Sequence, residues 1–176
     1  DWAFCGGWAI DLFLNRVTRE HKDVDIAVWR KDQRSIGKYL RRHGWTLDIA
    51  HLGELTRWDV DEYIDPPRHT IWCRNNDHDP DFVELLFNES NETHFMCRRD
   101  PSITLPLEDA LIMTPSGYRI LAPEVVLLYK SIDPENENNQ ADFDTAHPHL
   151  NETQRNWLRQ SLQQRTSEHK WIEALT

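Results

Sequence analysis

The stretch from Cys5 to Val28, CGGWAIDLFLNRVTREHKDVDIAV, constrains this chain more than any other. It reads as an apolar strand end, a Gly-Gly turn, an amphipathic helix, and a second strand carrying two alternating aspartates. Gly6 and Gly7 lack a Cβ and tolerate φ > 0, so the backbone there can come close to a phosphate. The helix that follows opens with unpaired N–H groups, which favour an anion. Asp23 and Asp25 lie two apart on the expected strand, so both carboxylates leave one face. Two hard oxygen ligands side by side suit Mg²⁺, which keeps water and phosphate oxygens as its remaining ligands. A phosphate cradle beside a divalent-metal clamp predicts phosphoryl or nucleotidyl transfer.

Asp-x-Asp by itself carries no weight in an acidic chain, and the pattern recurs at Asp59/Asp61, Asp77/Asp79, Asp79/Asp81 and Asp142/Asp144. The pair at Asp23 and Asp25 differs by context, because apolar strand residues surround it and the glycine turn precedes it. Same-facing carboxylates on a half-buried strand are costly unless a cation compensates them. Arg19 and His21 lie in the loop before that strand, where they either touch triphosphate oxygens or face solvent. Trp8 and Trp72 read as core residues, and Asp11 as a surface or local hydrogen-bonding residue. The nine histidines show no metal-ligand spacing with cysteine, which argues against zinc.

The Cys5–Val28 stretch resembles the nucleotidyltransferase superfamily of the DNA polymerase β type. Within it, the likeness is to the small antibiotic nucleotidyltransferases, in particular the aminoglycoside 2″-adenylyltransferases. Their opening runs GGWAID, then LGRVTR, then an Asp-x-Asp; here the residues are Gly6–Asp11, Leu14–Arg19 and Asp23–Asp25. Asn15 stands where the family usually has Gly, and Asn also accepts a left-handed φ at a helix end. Gly-Gly replaces the Gly-Ser common in the wider superfamily, which removes a hydroxyl from the turn. The resemblance is strong over residues 1–30, diffuse over 31–100, and returns at the LAPEVVLLYK segment, 121–130.

The resemblance implies an α+β fold, a minimal mixed sheet flanked by helices, with a core over 1–105 and a small helical region over 106–176. It implies ATP or another NTP as donor, Mg²⁺ as cofactor, and a hydroxyl acceptor such as an aminoglycoside. Gly6, Gly7, Arg19 and Lys130 are the expected nucleotide-binding residues. Lys130 also sits where the dipole of a helix C-terminus favours a cation. The superfamily places a third carboxylate on a later strand. Glu84 is the one acidic residue interrupting the apolar run Phe82–Phe87, with Asp81 and Glu89 as fallbacks at its ends. Asp23, Asp25 and Glu84 are therefore the expected catalytic and metal-binding set. Two alternatives remain beside antibiotic modification: nucleotidylation of a protein, as in minimal toxin–antitoxin nucleotidyltransferases, and a nucleotide-binding module without turnover.

At 176 residues the chain fits one domain, or a core with a helical appendage. A formal charge of −10 argues against a nucleic-acid surface, and no apolar run approaches a membrane span. Three cysteines, an odd number, predict free thiols in a reducing cytoplasm. The chain opens inside an apolar stretch, Trp2–Cys5, which suggests that the natural protein begins earlier. Strands are expected near 24–28, 45–50, 55–64, 69–74, 82–87 and 93–98, with a hairpin over 69–87. Helices are expected at 8–14 and 32–43, then through 122–130, after an Asn151/Gln154 capping box, and from Ser167. Residues 133–140 read as a solvated loop. Asp59, Asp61 and Glu62 form the densest acidic cluster for a cationic acceptor.

Overall fold

Alternating apolar residues make the strands, and Gly, Pro and Asn end them. In this computed structural model, which describes residues 1–176, the order opens β1 (Trp2–Phe4), α1 (Gly6–Leu14), β2 (Asp25–Trp29) and α2 (Gln33–Arg42). Four strands follow: β3 (Thr46–His51), β4 (Glu54–Arg57), β5 (Thr70–Arg74) and β6 (Phe82–Ser90). Then come β7 (His94–Cys97), β8 (Asp100–Pro106), α3 (Leu107–Ala110), β9 (Leu111–Met113) and β10 (Arg119–Leu121). The chain closes with α4 (Pro123–Lys130), α5 (Glu137–Ala146) and α6 (Glu152–Arg165).

The sheet runs β4-β3-β5-β6-β2-β1-β10-β9, with β7 and β8 continuing from the end of β6. Most neighbours are antiparallel, but β2 pairs β6 and β1 pairs β10 in parallel. Because side chains alternate along a strand, the sheet has two distinct buried faces. Ala27 and Trp29 pack with Ile10, Val125, Leu128, Phe143 and Leu158, under the helical side. Val28, Leu85 and Phe87 pack with Trp58, Val60 and Ile64 on the other. Asp25 shares the parity of Ala27, and Glu84 that of Leu86, so both carboxylates belong to the helical face.

The expected α+β class holds, as do the β5–β6 hairpin, the first two helices, the Pro-led α4 and the capping box that starts α6. Several elements differ from expectation. After Pro106 comes one short helix, α3, and then β9 and β10 return to the sheet beside β1 before the run of longer helices starts at Pro123. Residues 55–64 carry only the end of β4; Trp58, Val60 and Ile64 are a buried loop that mimics strand patterning. The expected loop at 133–140 contains the start of α5, which Asn136 caps by accepting from the backbone N–H groups of Asn138 and Asn139. Ser167 starts no α-helix; only a short 3₁₀ turn, Glu173–Leu175, follows α6. No helix is long and apolar enough to cross a membrane.

Candidate active site

The parallel pairing of β2 with β6 sets Asp25 directly beside Glu84, and the Glu84 N–H donates to the Val24 carbonyl at 2.9 Å. Asp23 lies in a bend two residues before β2, off the strand it is expected to share with Asp25, yet its carboxylate still reaches the other two. Asp23, Asp25 and Glu84 each offer an oxygen, and all three oxygens lie within 4.8 Å of one another. Burial, then the charges of Asp23 and Glu84, push the Asp25 carboxyl up to about 7. Burial also raises Glu84, against a hydrogen bond from Trp72 that favours its charged form. Such repulsion is what a divalent cation relieves. The donor set is all carboxylate oxygen with no thiolate or imidazole, which fits Mg²⁺.

Gly6 has φ +59 and sits against Asp25; a Cβ there would lie 1.8 Å from Asp25 Oδ2. The Cys5 N–H donates to the Asp25 carbonyl at 2.9 Å, fastening the turn to the metal strand. Gly7 is enclosed differently, since a Cβ would meet Arg19 Nη2 at 2.3 Å and His21 Nδ1 at 2.5 Å. Its lack of a side chain therefore lets the 16–21 loop close over the start of α1.

That loop is anchored by Asp11, which is buried and takes the local hydrogen-bonding role, the second of its two expected ones. Its carboxylate accepts from the backbone N–H and the hydroxyl of Thr18 and pairs with His21 Nε2 at 2.5 Å. The His21 ring lies 4.6 Å from the Trp8 ring, and Trp8 Nε1 donates to the Asp23 carbonyl at 3.1 Å. Asn15 ends α1 in the left-handed region at φ 52. Trp8 is thus half-buried and fixes Asp23, and Trp72 likewise leaves the core role: its Nε1 donates to Glu84 Oε1 at 3.3 Å.

The expected cationic residues are engaged by a carboxylate outside the expected set. Asp142 on α5 accepts from Arg19 Nε at 2.8 Å and Nη2 at 2.9 Å, and pairs with Lys130 Nζ at 2.8 Å. Burial alone would raise its carboxyl, but the Arg19 fork and the Lys130 ammonium hold it below the ordinary range. Of the fallbacks, Glu89 is paired with Arg30 at 2.5 Å, while exposed Asp81 lines the open cleft beside Glu84. Asp59, Asp61 and Glu62 follow buried Trp58 on the opposite face of the sheet, and Asp61 pairs with Lys38 at 2.7 Å. The acidic acceptor cluster expected there therefore does not flank the carboxylate triad.

Residues 1–66 match the family described as aminoglycoside-2''-adenylyltransferase, a span holding the glycine turn and both aspartates. The solution structure of the antibiotic-resistance factor ANT(2'')-Ia superposes with a TM-score of 0.62 at 15% identity, covering 100% of this chain and 89% of that one. The lincomycin-bound lincosamide antibiotic adenylyltransferase LnuA follows at 0.57 and 15% identity, covering 83% and 85%. The chain has the nucleotidyltransferase fold. ANT(2'')-Ia in complex with adenylyl-2''-tobramycin matches at 0.52 and 15% identity, over 99% of this chain and 83% of that one. Among curated proteins none matches this sequence.

Asp142, Asp11 and Trp72 hold Arg19, His21 and Glu84 through contacts that the sequence reading does not assign to them. Asp142 lies 123 positions from Arg19, so no local spacing relates the two. For Asp11 a signal existed: a charged residue between Ile10 and Leu12, four positions after Gly7, falls on the helix face that the following loop must cover.

Proposed function

We propose that this chain transfers a nucleoside monophosphate from a nucleoside triphosphate to a hydroxyl of an antibiotic. The observation that carries this is the register of Asp25 against Glu84, with Asp23 completing an all-oxygen triad directly under the Gly6 turn. Asp23, Asp25 and Glu84 would hold Mg²⁺, which supplies charge neutralisation at the phosphates when bound. The Gly6 turn and the first N–H groups of α1 seat the phosphates next to Asp25. Asp142 keeps Arg19 and Lys130 pointed at the same region, two cations around one carboxylate, so a net positive charge faces the site.

In the step itself the acceptor oxygen forms a bond to the α-phosphorus, and the bond from that phosphorus to the bridging oxygen of the β-phosphate breaks. Pyrophosphate leaves with that electron pair. Glu84 takes the hydroxyl proton; Trp72 holds one of its oxygens, leaving the other for the acceptor, and burial raises its basicity. The matched family and the printed substrates of ANT(2'')-Ia and LnuA support an aminoglycoside or lincosamide as acceptor. Incubation with each NTP, Mg²⁺ and panels of both drug classes, read by mass spectrometry, tests this. One drug should gain the mass of a nucleoside monophosphate. Labelling of a co-expressed protein with no drug modified would replace the antibiotic with a protein acceptor.

A further inference from the structure

The three carboxylates of the triad are not held alike. Asp25 and Glu84 face each other in a paired ladder, and Trp72 donates to Glu84. Asp23 precedes that ladder; it is exposed, lies in a bend, and has no partner on a neighbouring strand. Its hold comes from α1, where Trp8 Nε1 donates to the Asp23 carbonyl at 3.1 Å. A bond to that carbonyl fixes the peptide plane that follows Asp23, and with it the direction its side chain takes.

The indole is itself held in place. Trp8 and Asp11 stand three apart on α1 and share a face of the helix. His21 lies between them: its ring is 4.6 Å from the Trp8 ring at an interplanar angle of 34°, and Nε2 reaches Asp11 Oδ2 at 2.5 Å. Gly7 forms the third wall, since a Cβ there would lie 2.6 Å from His21 Cε1. The His21 and Asp11 side chains are 3% and 2% exposed, so the pair is shielded from water. The other Asp11 oxygen accepts from the Thr18 N–H at 3.1 Å and from the Thr18 hydroxyl. One chain of contacts therefore runs Thr18, Asp11, His21, Trp8, Asp23. It leads from the 16–21 loop to the triad member that no strand secures.

We propose that Asp11, His21 and Trp8 are positioning residues that couple closure of the 16–21 loop to divalent-metal affinity at the triad. The inference rests on the metal-dependent transfer reading and adds a conformational element to it. With the loop closed, His21 holds the indole, and the indole holds Asp23 towards Asp25 and Glu84. With the loop open, the two strand carboxylates stay in register and the third loses its hold. Coupling between two sites is reciprocal, so a metal bound more tightly by the closed state must stabilise the closed loop by the same factor. Thr18 reports that closure, because its N–H exchanges with solvent when it leaves Asp11.

The test is Mn²⁺ binding, read from the electron paramagnetic resonance signal of the free ion, with hydrogen exchange at Thr18 measured without and with the ion. Asp25→Asn, measured alongside, subtracts ions held elsewhere on an acidic surface. Trp8→Phe keeps a ring against His21 and removes the N–H donor. It should weaken binding at the triad about 2- to 10-fold, the range for one neutral hydrogen bond. Saturating Mn²⁺ should slow Thr18 exchange in wild type by about the same factor, and in Trp8→Phe it should not. His21→Phe keeps the stack, loses the bond to Asp11, and should weaken Mn²⁺ in the same direction. Trp157→Phe removes a comparable indole bond, to the Thr104 carbonyl at 2.8 Å, and should change neither reading. Thermal melts separate loss of binding from loss of fold. Folded Trp8→Phe and His21→Phe that bind Mn²⁺ as wild type does would overturn the coupling alone, as would Mn²⁺ binding that leaves Thr18 exchange unchanged. Wild type binding no more Mn²⁺ than Asp25→Asn would overturn the coupling and the metal reading together.

Discussion

Replacing Asp142 with Ala removes the single counter-charge shared by Arg19 and Lys130. The Asp142 side chain is 1% exposed, against 22% for Arg19 and 14% for Lys130. Breaking a buried ion pair from one side costs about 3–5 kcal/mol. Because both cations keep some contact with water, the lower end, about 3 kcal/mol, is expected. In a domain of this size each kcal/mol moves Tm by about 2–4 °C, so Asp142→Ala should melt about 6–12 °C below wild type. Asp142→Asn keeps the volume and some hydrogen bonding and should fall between the two. The pH dependence has a definite sign. A carboxyl held below its ordinary value of 3.8 contributes stability that is present above that value and lost as pH falls through the depressed one. The gap in Tm between wild type and Asp142→Asn should therefore be flat above about pH 5 and close below about pH 4. Calorimetry across that range gives both quantities. A variant melting within about 1 °C of wild type at neutral pH would refute the claim that Asp142 ties α5 to the phosphate loop and α4.

Other perturbations separate the roles within the triad. Glu84→Gln should lower turnover by about 10²-fold or more with Tm near wild type, read by steady-state kinetics; unchanged turnover passes the proton-accepting role to Asp81. In metal-free protein the raised Asp25 carboxyl weakens the fold as pH climbs from 3.8 towards about 7, because the native state holds a proton that the unfolded chain has released. Asp25→Asn should therefore raise Tm in EDTA at about pH 8 and have little effect at about pH 4; added Mg²⁺ should raise Tm of wild type alone. Gly6→Ala combines a positive φ with a contact at 1.8 Å from Asp25 Oδ2. It should cost at least about 1–2 kcal/mol and abolish transfer, whereas Gly53→Ala, at φ +81 with open space around it, should cost only the backbone term.

What the sequence carries and what it hides divide along physical lines. Local devices are legible: the glycine turn, the left-handed Asn15, the Asn151 capping box and the apolar run that makes Glu84 conspicuous are each set by neighbours within a few positions. Features made by chain return are not. Asp142 belongs to an unremarkable acidic pair on a helix that its composition disguises as a loop, and it acquires meaning only when α5 packs against α1 and α4. Trp72 looks like core because indole usually is; its N–H meets Glu84 through the β5–β6 register, which pairs the two residues directly. Asp59, Asp61 and Glu62 are dense in sequence but ride on a loop whose tryptophan anchors it to the far side of the sheet.

The central claim is that Asp23, Asp25 and Glu84 form one divalent-metal centre that moves a nucleotide. It is tested most directly by following transfer from α-labelled ATP to the responsive drug while titrating Mg²⁺, in wild type and in Asp25→Asn. Transfer should rise with Mg²⁺ and release one pyrophosphate per nucleotide moved. It should vanish in EDTA and be absent from Asp25→Asn at every metal concentration, although the variant folds. Metal-independent transfer, or a variant working at the wild-type rate, would contradict the account.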